Sequence, residues 1–143
     1  MSDPIPVVLC GKTEQIATTV IATMKPELEV IHLILTPDAG KAQIPALLRG
    51  ETDVPSDSAL GSKNYSKPPA AVVTGAGYDG QAVEEMRAAC KETKPVPWLR
   101  PDTTKPAPPL GPEYGKALVE RIKITMKELA EQGKMNEDVV VWY

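Results

Sequence analysis

The sequence predicts an α/β domain in which one sheet of about five mostly parallel strands carries helices on both faces, a three-layer, doubly wound arrangement. Two observations predict it. Apolar runs of strand length alternate with amphipathic segments of helical period, a pattern that requires parallel strands joined by right-handed crossovers. The runs are also nearly continuous in aliphatic and β-branched residues, as strands must be when helices cover both faces of a sheet. The 143 residues fit a single domain spanning 1–143, because a chain of this size buries roughly 68–70% of its unfolded surface and needs no covalent staple.

Each element follows in order. Ile5 to Cys10 reads as a buried strand closed by Gly11. Thr13 to Met24 is a helix with Ile16, Ala17, Val20, Ile21 and Met24 on one face, Thr13 as its N-cap and Pro26 as its stop. Leu28 to Leu35 is the second strand. Asp38 to Arg49 is a shorter helix that Pro45 interrupts and Gly50 ends. Residues 51–69 are small, polar or proline-containing without an apolar period, which predicts a long mobile loop. Ala70 to Thr74 is the third strand, and Asp79 to Thr93 a helix facing inward with Ala82, Val83, Met86, Ala89 and Cys90. Val96 to Leu99 is a short fourth strand, weakened by Pro97. Prolines crowd the stretch from Lys94 to Pro112 and predict an extended, polyproline-like excursion, with 100–112 as the second long loop. Leu118, Val119, Ile122, Met126, Leu129 and Ala130 line a long helix from Glu113 to Gln132, ended by Gly133, and Val139 to Tyr143 is the last strand.

Composition narrows the partners. A net charge of −3 and a pI near 5.2 give no basic footprint for nucleic acid. Cys10 and Cys90 form no C-x-x-C pair and have no histidine cluster beside them, so neither a zinc site nor a disulfide framework is expected, which fits a reducing compartment. Met1-Ser2-Asp3-Pro4 lacks a basic, then apolar leader, and no stretch approaches the ~20 apolar residues of a membrane span. The expectation is a cytoplasmic protein that touches neither membrane nor nucleic acid.

The best motif is Gly75-Ala76-Gly77-Tyr78-Asp79-Gly80, which satisfies G-x-G-x-x-G between the strand Ala71-Val72-Val73-Thr74 and a helix. Such a turn lets a diphosphate approach the backbone at the second glycine and meet the amides of the helix start. Over these residues the chain resembles the Rossmann family of NAD(P)-binding proteins, although its motif follows the third strand rather than the first. The resemblance implies Gly75, Ala76, Gly77, Tyr78 and Gly80 as cofactor contacts; Tyr78, inside the glycine turn, would stack on or cover the ligand, or only pack on the loop. It also implies a ribose-recognising residue about twenty positions on, where Arg100 and Asp102 stand. Arg100 would pair with a 2′-phosphate, which favours NADP over NAD. The plainer alternative is a tight strand-to-helix connection with no ligand.

Cys10-Gly11-Lys12-Thr13 ends like a Walker A loop but lacks its earlier glycine, since Pro6 stands there, so an ATPase is excluded. Gly11, Lys12 and Thr13 can still offer amides, an ammonium and a hydroxyl to a phosphate. If the sheet order is 2-1-3-4-5, this turn and the glycine turn face one crevice at the switch point. Two other classes stay open: an interaction module or homodimer using the proline-rich loop or Trp142 and Tyr143 at a sheet edge, and a small thiol enzyme using Cys10. His32 inside Val30-Ile31-His32-Leu33-Ile34 reads as a hydrogen-bonded core residue. The Tyr-x-x-x-Lys pair of short-chain dehydrogenases is absent, and no other constellation identifies a reaction.

Overall fold

The computed structural model describes residues 3–109 and 111–143; Met1 and Ser2, which open the N-terminal stretch read above, lie outside it. Five strands, β1 (Ile5–Cys10), β2 (Leu28–Ile34), β3 (Ala71–Thr74), β4 (Trp98–Arg100) and β5 (Val140–Trp142), form one parallel sheet in the order β2-β1-β3-β4-β5. Four helices connect them: α1 (Glu14–Met24), α2 (Pro37–Leu48), α3 (Gly80–Ala89) and α4 (Pro112–Glu131). α1 packs on α4 and α2 on α3. The sheet therefore has a core on each side: Val7, Leu9, Val73 and Leu99 face α1 and α4, whereas Val8, Cys10, Val72 and Trp98 face α2 and α3. That alternation along strands buried on both faces is the period of two expressed inside an apolar run.

Local chemistry sets the helix ends. The side chains of Thr13, Thr36 and Asp79 accept from Ile16, Ala39 and Ala82 amides and cap α1, α2 and α3. Pro45 lies inside α2 without ending it. α3 is shorter than its apolar pattern predicts: it closes at Cys90, and residues up to Thr93 turn back with Thr93 Oγ1 donating to Cys90 O at 2.7 Å. The fourth strand begins after Pro97, at Trp98 rather than Val96, because Pro97 has no amide to donate; its carbonyl instead accepts from Val72.

Residues 51–69 contain neither helix nor strand, as expected, yet they are pinned rather than loose. Ser62 and Lys63 amides donate to Val30 and Ile31 carbonyls at 2.9 and 3.0 Å, so the segment covers the outer edge of β2. Gly61, at φ +93°, is required there: a Cβ would press on the Ile31 carbonyl oxygen at 3.1 Å. Ile31 is the extra residue of a register shift between β1 and β2, and it returns His32 to the α2 side. There His32 is fully buried, Nδ1 2.7 Å from Tyr65 Oη and Nε2 2.7 Å from Gln43 Oε1. It is the hydrogen-bonded core residue that its strand context predicts. No helix among the described residues is long and apolar enough to cross a membrane.

Candidate functional site

With β2 and β3 on opposite sides of β1, the chain crosses over at the carboxyl ends of β1 and β3, the place where open α/β sheets leave a crevice. Two turns bound it. Gly11 and Gly75 extend the ladder by one step, Gly11 N donating to Ile34 O and Gly75 N to Cys10 O, both at 2.9 Å. Beyond them Gly11-Lys12-Thr13 and Gly75-Ala76-Gly77 form the mouth of a cavity of about 180 Å³ that runs down between α1 and α4. Its walls are Leu9, Ile16, Ala17 and Val20 on one side, and Leu118, Ile122, Tyr114 and Tyr143 on the other.

The site is thus an apolar chamber with a polar rim. Thr13, the N-cap of α1, places that helix's first-turn amides at the mouth, where they favour a negative or oxygen-rich group. Tyr143 is 2% exposed and donates its hydroxyl to Thr74 O at 2.8 Å, which fixes one wall. Tyr114 enters from the first turn of α4.

Six of the nine residues that sequence reasoning nominates come together here: Gly11, Lys12, Thr13, Gly75, Ala76 and Gly77. Three do not. Tyr78 is 2% exposed and turned into the α2/α3 core, with its hydroxyl 3.1 Å from both Gly11 O and Ile34 O. It ties the two turns together beneath the site, and its other partner is the Lys12 ammonium, 4.6 Å from the ring centroid. Burial pushes its phenol well above the usual range. Its ring packs beneath the two turns and is not among the residues that line the cavity. Gly80 and Arg100 form a separate pair on the α3 side. Arg100 lies over the Trp142 ring at 4.6 Å, and its Nη1 is 3.5 Å from where a Gly80 Cβ would be.

The glycines bear differently on the fingerprint. A Cβ at Gly75 would make ordinary contact, and so would one at Gly80. One at Gly77 would meet Lys12 Cγ at 2.6 Å. The Lys12 stem therefore lies against Gly77 on the side where a side chain would project.

Cys10 ends β1 beside the mouth, but it is fully buried, and burial followed by the neighbouring Cys90 drives its thiol far above the ordinary cysteine range. Cys90 is pushed up to about 12, mainly by burial. A thiolate nucleophile needs the opposite environment. Among the described residues no group of three or more His, Cys, Asp or Glu side chains is placed to hold a metal ion. β5 is the sheet edge, and Trp142 is 53% exposed on it, while Tyr143 is turned inward and is not part of that surface.

Sequence reasoning missed the aromatic half of the site. Tyr114 stands four residues before Leu118 on the inner stripe of α4, so its face was legible; its opposition to the first turn depended on how α1 and α4 pack.

"Kojic acid related protein 6" of Aspergillus oryzae (strain ATCC 42149 / RIB 40) is 41% identical over 140 residues, spanning 95% of this chain and 84% of that protein. No family model matches the chain, and no solved structure matches it.

Proposed function

We propose that this chain, which belongs to the family of Kojic acid related protein 6, is a small-molecule-binding domain that holds a compact, single-ring ligand between β1 and β3. The observation that carries this reading is the convergence of two polar turns on one apolar cavity of about 180 Å³ at the switch point of the sheet. Size decides the class. An engineered apolar cavity of about 150 Å³ takes up benzene, whereas pockets for drug-sized ligands run to about 300–1,000 Å³. One ring with small substituents matches the cavity, and a dinucleotide exceeds it.

The ring would lie among Leu9, Ala17, Val20 and Leu118, with its oxygen substituents at Lys12, Thr13 and the α1 amides. The relative's name relates that protein to kojic acid, a hydroxylated six-membered pyranone, which makes kojic acid the first probe to use. No reaction is part of this proposal, since Cys10 is an unfavourable nucleophile and His32 is committed to Gln43 and Tyr65 on the other side of the sheet.

The second reading is the NAD(P) site, with NADP preferred. It is favoured by the position of Gly75-Ala76-Gly77 between strand and helix, and it requires Lys12 to leave Gly77. Calorimetric titration with kojic acid and with NADPH separates the two. Saturable heat with kojic acid and none with NADPH is expected; saturable NADPH binding that is lost in Gly77→Trp would replace the single-ring reading with the dinucleotide one.

A further inference from the structure

Building on the single-ring reading, we propose that Tyr114 makes this cavity selective for planar, unsaturated rings over saturated rings of the same size. The chain is poor in aromatic residues, with four Tyr, two Trp and no Phe in 143 residues, yet two of those six line one cavity.

The other aromatic side chains have visible structural work. Tyr78 bridges the two turns and underlies Lys12. Tyr65 bonds His32, and Trp142 lies beneath Arg100. Trp98 fills the α2/α3 core. Tyr143 is locked to Thr74 O and forms a fixed wall.

Tyr114 differs. It is half-buried against the α1/α4 core, it lines the cavity, and among the described residues its hydroxyl makes no hydrogen bond and its ring no aromatic or cation contact. An apolar wall needs only an aliphatic side chain. A tyrosine adds a flat face with a negative quadrupole, to which an unsaturated ring bonds in offset or edge-to-face geometry. A saturated ring presents axial hydrogens instead and gains only the area term.

The test uses phenyl phosphate and cyclohexyl phosphate, which share a head group and differ in the ring. Calorimetry on the full chain should find phenyl phosphate bound about 3- to 10-fold more tightly, the range that aromatic pairing supports. Tyr114→Leu should erase the preference while still binding both, and Tyr114→Phe should retain it, which also guards against a folding defect in the leucine variant. Equal affinities in the wild type, or a preference that survives Tyr114→Leu, would overturn the role of Tyr114 and leave the cavity reading standing. Binding of neither compound would overturn the single-ring reading and this selectivity with it.

Discussion

Ala17→Leu is the substitution that most directly exploits the cavity. Ala17 is 3% exposed on the inner face of α1 and forms part of the chamber wall, so a longer side chain there extends into empty space rather than into packed atoms. Three added carbons contribute about 2.4 kcal/mol at about 0.8 kcal/mol per buried methylene. Ordering the leucine costs up to about 1 kcal/mol, and the helix propensities of the two residues are close. The expected net gain is about 1 to 1.5 kcal/mol, equivalent to a rise in Tm of roughly 4 °C for a domain of this size. The same side chain occupies the volume that the ligand needs. Urea denaturation with and without kojic acid measures both effects: the wild type should be stabilised by about 2.7 kcal/mol at a ligand concentration of about 100 Kd, and Ala17→Leu not at all. A variant that loses more than about 1 kcal/mol would mean that the chamber is already packed. One that gains stability yet keeps the ligand effect would place binding elsewhere.

Two further perturbations test the packing that shapes the site. His32 is the chain's only histidine, and burial, opposed by its bond to Gln43 and by Asp57 but reinforced by Lys63, holds its imidazole below the usual value. The folded state therefore favours the neutral ring, the unfolded chain takes up the proton first, and stability should be complete above about pH 6.5 and fall as the pH drops below it. Urea midpoints at pH 7.5 and pH 5.5 check this, and equal midpoints would refute it. Gly40 sits where α2 meets α3, and a methyl group there would be driven into Met86 Sδ with Met86 Cγ 3.2 Å away. Gly40→Ala should cost about 1 kcal/mol despite its better helix propensity, because overpacking costs about 1–3 kcal/mol. In a double-mutant cycle with Met86→Ala the penalty of the alanine should disappear; strict additivity would mean that Met86 does not oppose it.

Much of the fold was legible because each signal was local. β1 and β2 announce themselves as aliphatic runs, Thr13 and Asp79 as caps, and Pro97 as a reason for β4 to be short. Residues 51–69 were not legible as an edge cover, because the role of Gly61 and Ser62 comes from β2 thirty residues earlier and from a register shift that no spacing reveals. The site divides in the same way. The two turns follow from the rule that ligands gather at the switch point, and the structure brings Gly11–Thr13 and Gly75–Gly77 to one mouth. The direction of Tyr78 is not legible, because a residue between glycines has no periodicity to give it; its hydroxyl meets the Gly11 and Ile34 carbonyls inside. Counting from the fingerprint brings Arg100 to the ribose position, but β4 alternation puts Trp98 on the α2/α3 face, and Arg100, two residues on, follows it to Gly80.

A one-ring ligand in the chamber between α1 and α4 would touch both turns and the α4 wall. A heteronuclear NMR titration with kojic acid, using amide and methyl resonances, tests this. Saturable shifts are expected at the Gly11, Lys12, Thr13, Gly75 and Gly77 amides and at the Leu118 and Ile122 methyls, with Gly80 and Arg100 unmoved. Shifts confined to Gly80, Arg100 and Trp142, or no shifts at millimolar ligand in a folded protein, would contradict it.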